Sequence, residues 1–444
     1  NIHIIGIGGA GMKSIASVLL SMGHQVSGSD LRASGLDGLR AEGASVVVGH
    51  DAANLGKVDL VTRSTAVPDS NPEVVAAGGR SIPVVSRAGI LAALTRVRRT
   101  VSVAGTHGKT TTASMLSVLL REAGMDPSFI IGGEVNEIGS GAVWAESDGW
   151  FVVEADESDG TFLRLHSAAA IITSVEADHL SYYGSEAELV EAFERFVDGV
   201  AGPCVVCLDD SGAEALAQGP RVVTYGTDPR ADWVISDYQG GRSSSSFGLS
   251  GPAGPKRIFE LATPGLHNVR NATAAIVMGH SLGAGEDAAG AALARFGGVA
   301  RRFQYRGERD GITYVDDYAH LPAEVVAALE PASNGEWERV VCVFQPHRYT
   351  RTSDLWRSFG PAFERADILV ITGIYPAGEA PMPGVTGKLI VDAVLDHDAK
   401  TDVSYCPHRD ELHAYLEARL QPGDLCLTLG AGDLTTLPDE FLMT

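Results

Sequence analysis

Short apolar runs alternate with longer amphipathic stretches along most of this chain. Runs rich in β-branched residues, such as Ile2–Ile5, Thr100–Ala104 and Ile368–Thr372, are of the length and composition that predict buried strands. The stretches between them carry apolar residues three or four positions apart, which is typical of helices with one buried face. Because strands that alternate with helices form βαβ units, the pattern predicts an α/β fold with parallel sheets.

The alternating pattern falls into three blocks, and a length of 444 residues also indicates about three domains. We predict an N-terminal Rossmann-like domain at 1–97, a central domain with a P-loop ATPase-type parallel sheet at 98–302, and a C-terminal Rossmann-like domain at 303–444. The other predicted strands are Gln25–Ser27, Val46–Val48, Phe151–Val153, Ala170–Val175, Ile312–Val315, Val340–Phe344 and Leu425–Leu429. Helices are predicted at 12–22, 109–122, 185–200 and 269–282, and a small β insertion around 238–255.

Composition excludes several classes of protein. Apolar residues make up 45% and charged residues 20% of the chain, which is ordinary globular usage and argues against a disordered or fibrous protein. The formal net charge of −22 argues against general affinity for nucleic acid or anionic membranes. A local basic pocket remains compatible with this charge, because charges more than about 8 Å apart are largely screened at physiological salt. No apolar run approaches the roughly 18 residues that cross a bilayer, so we expect no membrane insertion.

The five cysteines are few and odd in number, which fits a reducing compartment better than a disulfide framework. Cys204 and Cys207 flank two valines, and no second pair follows at zinc-ligand spacing, so we expect cysteines buried in a strand. The chain opens on a strand-like stretch without a signal peptide. We therefore expect a cytoplasmic protein, as a monomer or weak homodimer.

A first glycine loop, Gly6-Ile7-Gly8-Gly9-Ala10-Gly11, follows the first predicted strand and precedes a predicted helix. In this context G-x-G-x-x-G lets a diphosphate approach the backbone at the helix N-terminus. Asp30 ends the second strand, where such folds place an acid against a ribose hydroxyl. A glycine turn without a ligand is the structural alternative.

A second loop, Gly105-Thr106-His107-Gly108-Lys109-Thr110-Thr111, lies between the strand at 100–104 and a helix. Its backbone N–H groups and helix dipole would hold phosphates, Lys109 would offset the charge on the β and γ groups, and the Thr110 hydroxyl would bind magnesium. The spacing is G-x-x-G-K-T, because Val103 occupies the place of the first glycine of the usual pattern. A lysine inside this loop is informative, since only 6 of the 34 basic residues are lysine.

Acidic residues follow two strands of the central block. Glu154 ends one strand, and His179 follows the next, where an open parallel sheet binds its ligand. We therefore predict that Glu154 and His179 bind magnesium. For Asp156, Glu157 and Asp159, we favour helix capping or exposure to solvent.

Basic residues follow two strands of the third block. His320 belongs to the segment DDYAH, and His347, Arg348 and Arg351 belong to the segment QPHRYTR. The last three could together bind a carboxylate, because a guanidinium matches it with two parallel hydrogen bonds. A solvated loop arginine is the structural alternative for each taken singly.

These motifs together resemble the Mur ligases of bacterial cell-wall synthesis. The segments GIGGAGM, GTHGKTTT, VEADESDGTF, EADH, LHNVRNATAA, RRFQ, DDYAH and FQPHRYTRT stand in the order and approximate spacing of that family over nearly the whole chain. FQPHRYTRT is most similar to its alanine-adding branch. The resemblance implies that ATP phosphorylates the lactyl carboxylate of UDP-N-acetylmuramate and that the amine of L-alanine attacks the acyl phosphate.

The resemblance also implies roles for individual residues. ATP and magnesium would be held by Gly105, Thr106, His107, Gly108, Lys109, Thr110, Thr111, Glu154 and His179, with His267, Asn268 and Asn271 on the adenine side and Asp317 at the ribose. Arg302 would reach the γ-phosphate when the third domain closes. The UDP diphosphate would lie on Gly6, Gly8, Gly9, Ala10, Gly11 and Met12, near Asp30 and Ser64, and the amino acid and acceptor near Tyr318, His320, His347, Arg348 and Arg351. Lys109, Glu154, His179, Arg302, His320 and His347 would act in catalysis.

Two departures and three alternatives accompany this interpretation. Leu321 stands where relatives usually have a second histidine, and no lysine lies between Lys109 and Lys256 to supply the carbamylated lysine of other branches. A ligase of the same family that recycles murein tripeptide would share both glycine loops but lack PHRYTRT. A nicotinamide-dependent dehydrogenase with an ATPase domain would explain the first loop alone, and a non-catalytic nucleotide switch the second.

Overall fold

The structure is a computed structural model that describes residues 1–33, 36–136, 138–176, 180–241, 243–252, 254–334 and 337–443. Within those ranges the strands form three mainly parallel sheets, one from each block of the sequence pattern, so the three-domain α/β architecture is confirmed. The chain groups into two compact units. The first contains the N-terminal sheet and most of the central sheet, and the second contains the C-terminal sheet together with Tyr238–Ser246 and Glu260–Val269. No helix in the described ranges is long and apolar enough to span a membrane.

The N-terminal sheet is parallel, with the strand order β3-β2-β1-β4-β5. Its strands are β1 (Ile2–Ile5), β2 (Val26–Asp30), β3 (Ser45–Val48), β4 (Leu60–Arg63) and β5 (Val84–Ser86). Its helices are α1 (Ala10–Ser21), α2 (Asp37–Ala41), α3 (Pro72–Gly79) and α4 (Arg87–Leu94). Because the strand order reverses at β1, a crevice for a ligand opens beyond the carboxyl ends of β1 and β4.

A fully buried carboxylate, Glu73, lies inside this domain. Its Oε2 accepts a hydrogen bond of 2.6 Å from Ser29 and lies 3.5 Å from Nε2 of His3, and its Oε1 accepts one of 2.5 Å from Asn54. Burial opposes the charged form, but the nearby His3 ring and the hydrogen bonds from Ser29 and Asn54 outweigh it and lower the pKa of Glu73 to about 2. The network ties the end of β2 to α3.

The central sheet has the order β15-β14-β13-β12-β11-β10-β6-β9-β7-β8 among the described residues. Its strands are β6 (Thr100–Ala104), β7 (Ser128–Val135), β8 (Ser140–Val143), β9 (Phe151–Glu154), β10 (Ala169–Ile172), β11 (Cys204–Cys207), β12 (Val222–Gly226), β13 (Trp233–Gly240), β14 (Ser245–Ser250) and β15 (Arg257–Leu261). Its helices are α5 (Lys109–Glu122), α6 (Leu180–Tyr183), α7 (Glu186–Asp198), α8 (Ser211–Glu214), α9 (Leu266–Ser281) and α10 (Glu286–Leu293). β6 pairs in parallel with both β9 and β10, so Ala104, Glu154 and Ile172 meet at one edge.

The C-terminal sheet has the order β16-β17-β21-β18-β19-β20, with β16 antiparallel to β17. Its strands are β16 (Gln304–Arg309), β17 (Ile312–Asp317), β18 (Arg339–Phe344), β19 (Ile368–Thr372), β20 (Val403–Cys406) and β21 (Asp424–Leu429). Its helices are α11 (Pro322–Asn334), α12 (Tyr349–Leu355), α13 (Lys388–His397), α14 (Arg409–Arg419) and α15 (Leu437–Met443). Asp317 and Phe344 both pair with Leu429, so the segments after β17 and β18 emerge on either side of β21.

The predicted end of one central strand was wrong. β10 ends at Ile172 rather than at Val175 because the next residues turn to bond the second glycine loop. Thr106 N donates to Ser174 O over 3.0 Å, and Thr173 Oγ1 donates to His107 O over 2.5 Å. The predicted β insertion is confirmed as the strands β13 to β15. Cys204 and Cys207 are buried in β11, as expected, and the other three cysteines are also buried and free.

Candidate active site

The second glycine loop joins β6 to α5 through two glycines in unusual backbone conformations. Gly105 has φ 135° and Gly108 has φ 78°, and a Cβ on these residues would collide with Thr173 Oγ1 and Asn271 Oδ1 respectively. Only glycine fits such positions without displacing its neighbours. The loop is therefore shaped by its contacts with two other segments of the central domain.

Not every amide of this loop faces a phosphate site. Thr106 N donates to Ser174 O and His107 N donates to Ser174 Oγ, each over 3.0 Å. The amides of the first turn of a helix have no carbonyl partner within that helix. The amides at 109–111, at the positive end of α5, are thus the ones best suited to hold phosphate oxygens.

Lys109 lies folded over its own loop and pairs with Glu157. Its Nζ is 2.8 Å from Glu157 Oε1, 2.6 Å from Gly105 O and 3.3 Å from Thr106 O. Burial acts to lower the pKa of Lys109, but the charges of Glu157 and Glu154 outweigh it and raise that pKa. The lysine therefore stays protonated at neutral pH.

The expectation that Glu157 caps a helix or faces solvent was wrong. Its side chain is buried, since the ion pair with Lys109 holds it inside the domain. Asp159 follows the expectation, because its Oδ1 accepts from Thr161 N at the start of a short helix. Asp156 accepts from Ser158 N and lies 3.8 Å from the guanidinium of Arg87.

Thr110 and Glu154 lie side by side, as the magnesium hypothesis requires. Thr110 Oγ1 is 3.1 Å from each carboxylate oxygen of Glu154, and Gly132 N donates to Glu154 Oε2 over 2.7 Å. A hydroxyl and a carboxylate are the oxygen donors that magnesium prefers. No cluster of three His, Cys, Asp or Glu side chains suited to a metal occurs among the described residues. His179 lies outside those residues, so its predicted role is not tested.

A cavity of about 360 Å³ reaches from the first glycine loop to Glu154 within the first unit. The start of α1 supplies Gly11 and Lys13, α4 supplies Arg87, and the central domain supplies Glu154 and Asp156. A molecule bound on the first loop can therefore extend along one cavity toward Glu154, which contacts Thr110 of the second loop. Cationic Lys13 and Arg87 suit an anionic ligand.

The first glycine loop is fixed by Asp30 and by the packing of its own glycines. Gly8 N donates to Asp30 Oδ2 over 2.8 Å, and a Cβ on Gly8 would lie 2.8 Å from that oxygen. A Cβ on Gly6, which has φ 76°, would lie 3.0 Å from Ser64 Cβ. Asp30 and Ser64 thus support the loop directly, and the predicted contact of Asp30 with a ribose stays a prediction.

Three other residues assigned to the first loop lie in different surroundings. Gly9 N donates to Gly6 O over 3.2 Å and closes the turn, while Ala10 lines the cavity. Met12 is only 2% exposed and packs in the core of the N-terminal domain. The Met12 side chain therefore faces the core, and the predicted role of Met12 in holding the diphosphate, through its backbone N–H, stays a prediction.

The residues assigned to the adenine side divide into two settings. Asn271 lies against the second loop, where its Oδ1 accepts from Thr112 Oγ1 over 3.2 Å. Asn268 is buried and its Nδ2 donates to Pro264 O over 2.7 Å, which ties the first turn of α9 to the residues before it. His267 packs against the backbone of Gly265, where a Cβ would lie 2.6 Å from its ring.

Asp317 and Arg302 lie together at the start of the C-terminal domain. Asp317 Oδ2 accepts from Phe303 N and its Oδ1 from Ala319 N, each over 2.7 Å. Burial raises the pKa of Asp317 to about 6, although the positive charge of Arg302 acts against the rise. The guanidinium of Arg302 lies 5.4 Å from the ring centre of Tyr318.

The basic residues after β17 and β18 form one cluster. The rings of His320 and His347 are 5.6 Å apart, and Arg351 Nη1 is 3.1 Å from His347 Nδ1. Burial lowers the pKa of His347 to about 4, assisted by His320 and Arg351. Arg348 adopts φ 71° at the start of α12. The structure therefore brings together the side chains that the sequence assigned to a carboxylate.

Sequence reasoning missed four residues that complete these sites. Two belong to the first unit, where Glu157 holds Lys109 and Arg87 reaches the cavity. The other two belong to the C-terminal domain, where Glu324 contacts His320 and Tyr375 stacks on His347 at 5.7 Å. A lysine inside a glycine loop needs an acceptor, and this was the signal that could have found Glu157.

Family models match three consecutive parts of the chain. The Mur ligase family catalytic domain matches residues 1–99, the Mur ligase middle domain 103–279, and the Mur ligase glutamate ligase domain 301–432. The UDP-N-acetylmuramate–L-alanine ligase of Pelotomaculum thermopropionicum is 45% identical over 448 residues, covering 100% of this chain and 97% of that protein. The enzyme of the same name from Myxococcus xanthus is 45% identical, covering 99% and 94%.

Solved structures share the architecture. The crystal structure of UDP-N-acetylmuramate-alanine ligase from Thermotoga maritima has a TM-score of 0.84 at 30% identity, covering 100% of this chain and 98% of that one. A murein peptide ligase from Psychrobacter arcticus has a TM-score of 0.72 at 24% identity, covering 100% and 98%. The second likeness is one of fold.

Proposed function

This chain belongs to the Mur ligase family, and we propose that it joins L-alanine to the lactyl carboxylate of UDP-N-acetylmuramate at the expense of ATP. The observation that carries the proposal is the single cavity lined by both the first glycine loop and Glu154. A nucleotide sugar held on that loop can place its carboxylate beside the phosphate site of Lys109. The 45% identity to the alanine ligases over the whole chain supports L-alanine as the amine.

The first step transfers the γ-phosphoryl group of ATP to the carboxylate and leaves ADP. Such a transfer depends on positioning and on opposing the negative charge rather than on a side-chain nucleophile. The amides at 109–111 and the ammonium of Lys109 would hold the phosphates. Thr110 and Glu154 would hold magnesium, which when bound would offset charge on the β- and γ-phosphates.

The second step joins the amine to the activated carboxyl carbon and releases phosphate. His347, Arg348 and Arg351 would hold the carboxylate of L-alanine, since they are cationic or hydrogen-bonding groups in one cluster. Arg302 would reach the γ-phosphate, while Asp317, His267, Asn268 and Asn271 would surround the nucleoside of ATP. We include His179 as a magnesium ligand in the proposal on the strength of its segment alone.

Three further statements belong to the same proposal. We place domain boundaries near 97/98 and 302/303, in short connections between the sheets. We place the enzyme in the cytoplasm, as a monomer or weak homodimer. Five free, buried cysteines are compatible with a reducing compartment.

The test is ADP release measured with each substrate omitted in turn and with a panel of amines. We expect release only when UDP-N-acetylmuramate and L-alanine are both present, and a product whose mass equals their sum less one water. Lys109→Met should lower kcat/KM for ATP by at least roughly 100-fold, whereas the exposed control Lys388→Met should not. Ligation of murein tripeptide in preference to L-alanine would assign the chain to another branch of the family.

A further inference from the structure

The two ring nitrogens of His320 lie in different surroundings. Nδ1 is 3.0 Å from the carbonyl oxygen of Tyr318 and 3.2 Å from Glu324 Oε2. Both neighbours only accept, so in the neutral ring Nδ1 carries the proton and Nε2 carries the lone pair. Across the described residues, Nε2 has no hydrogen-bonding partner.

Glu324 holds this ring orientation because the backbone fixes its own carboxylate. Its Oε2 accepts from His320 N over 2.9 Å and from Leu321 N over 3.1 Å at the start of α11. The side chains of His320 and Glu324 are 14% and 15% exposed. A carboxylate on Nδ1–H favours a neutral histidine whose Nε2 can take up a proton.

His347, the neighbouring imidazole, has the opposite orientation. Its Nδ1 faces the guanidinium of Arg351 at 3.1 Å, and a guanidinium only donates, so Nδ1 accepts and Nε2 bears the proton. Of these two rings, His320 therefore presents a lone pair at Nε2 and His347 presents an N–H. Position 321 is leucine, so His320 is the one imidazole of the segment 316–322.

The groups around His320 keep it neutral near pH 7. Burial lowers the pKa of His320, Glu324 acts to raise it, and the positive charges of Arg351 and Arg302 lower it further. Two other titratable side chains face the ring: His347, whose own pKa is lowered to about 4, and Tyr318, whose ring centre is 5.3 Å from that of His320. The cationic surroundings also suit the carboxylate of an amino acid.

We propose that Nε2 of His320 accepts a proton from the ammonium group of L-alanine, and that Glu324 is the positioning residue for this base. The inference rests on the proposed function and names the group that makes the amine nucleophilic. The ammonium loses one proton to His320, the nitrogen lone pair forms the C–N bond, and the C–O bond to phosphate breaks. A second proton leaves the nitrogen with the departing phosphate, which gives the amide and hydrogen phosphate.

The test replaces L-alanine with hydroxylamine, a nucleophile that is already neutral at pH 7 and needs no base. We expect His320→Gln to lower amide formation from L-alanine by about 100-fold or more, and hydroxamate formation from the same acyl phosphate by less than about threefold. His397→Gln, in an exposed ion pair with Glu364, is the matched control. Equal losses with both nucleophiles in His320→Gln would overturn the inference.

The pH profile tests the same inference where hydroxylamine reacts poorly or His320→Gln does not fold. In the wild type, kcat/KM for L-alanine should rise with pH through the pKa of His320. His320→Gln should lack this rise, and Glu324→Gln should move it to lower pH with an unchanged KM for ATP, because the carboxylate no longer stabilises the protonated ring. If the pH dependence of kcat/KM for L-alanine in Glu324→Gln matches that of the wild type, the proposal is contradicted. Absence of both amide and hydroxamate in the wild type would instead remove the proposed ligation, and the inference with it.

Discussion

Lys109 Nζ is 2.8 Å from Glu157 Oε1, so the ammonium group of the second glycine loop is paired with a buried carboxylate. Two carbonyl oxygens of the same loop, of Gly105 and Thr106, occupy its other protons. A triphosphate must therefore compete with Glu157 for this lysine. The ion pair sets part of the affinity for ATP.

Glu157→Gln should tighten nucleotide binding. The amide still fills the space but carries no charge, so Lys109 is released to phosphate more easily, and we expect the Kd for a non-hydrolysable ATP analogue to fall about fivefold. Calorimetric titration measures it, with Asp159→Asn as the control on the same segment. A Kd that rises in Glu157→Gln would show that the carboxylate assists binding instead.

Glu154→Gln should raise the requirement for magnesium. Its two oxygens face Thr110 Oγ1 at 3.1 Å, and a neutral amide offers the ion one weaker oxygen in place of two charged ones. We expect the magnesium concentration for half-maximal ADP release to rise at least roughly tenfold. The exposed Glu146→Gln serves as the control, and an identical magnesium curve for both variants would refute the assignment.

Gly8→Ala should weaken binding of the nucleotide sugar without affecting ATP. The added Cβ would lie 2.8 Å from Asp30 Oδ2 and displace the carboxylate that holds the loop amide. We expect KM for UDP-N-acetylmuramate to rise about tenfold, which corresponds to roughly 1.4 kcal/mol, while KM for ATP stays constant. Gly38→Ala is the control, since its Cβ would meet nothing within 4 Å. Parallel changes in both KM values would contradict a local effect.

Glu73 should make stability depend on pH in the acid range. Its pKa is about 2 in the folded chain against 4.5 ordinarily, so its stabilisation is complete above pH 4.5 and is lost as pH falls toward 2. The difference corresponds to about 3 kcal/mol. Urea unfolding should give Glu73→Gln a free energy of unfolding lower than that of the wild type by about this amount at pH 7. The difference between the two should shrink as the pH falls below 4.5. The control Glu42→Gln, at an exposed position, should unfold with the same free energy as the wild type at each pH. A difference between Glu73→Gln and the wild type that stays constant down to pH 3 would contradict the prediction.

The strands and the two loops could be predicted because they depend on local pattern. β1, β6 and β19 have the predicted bounds, and Glu154 lies beside Thr110 because parallel strands end at a common edge. The contacts of Glu157 and Arg87 could not be predicted from local sequence pattern. Their roles come from side chains meeting across elements that are distant in the sequence, and an acid after a strand looks the same whether it faces water or a lysine.

The histidines of the third block were likewise predictable in position but not in protonation. Their clustering follows from the strand order, since β17 and β18 both flank β21. Which ring nitrogen bears the proton depends on the carbonyl of Tyr318, on Glu324 and on Arg351, and these contacts form only when the loops fold. Pattern thus locates the cluster, while packing decides what each imidazole can do.

The burial of every cysteine should make the native chain slow to react with thiol reagents. Burial raises the pKa of Cys204 and of Cys426 to about 12, and little thiolate forms at neutral pH. A single cysteine introduced at a solvent-facing position such as Leu31, which is 72% exposed, would then react with a maleimide dye much faster than the five native thiols. Spectroscopic reporters can be attached to this enzyme one at a time, with its own five sulfurs left in place.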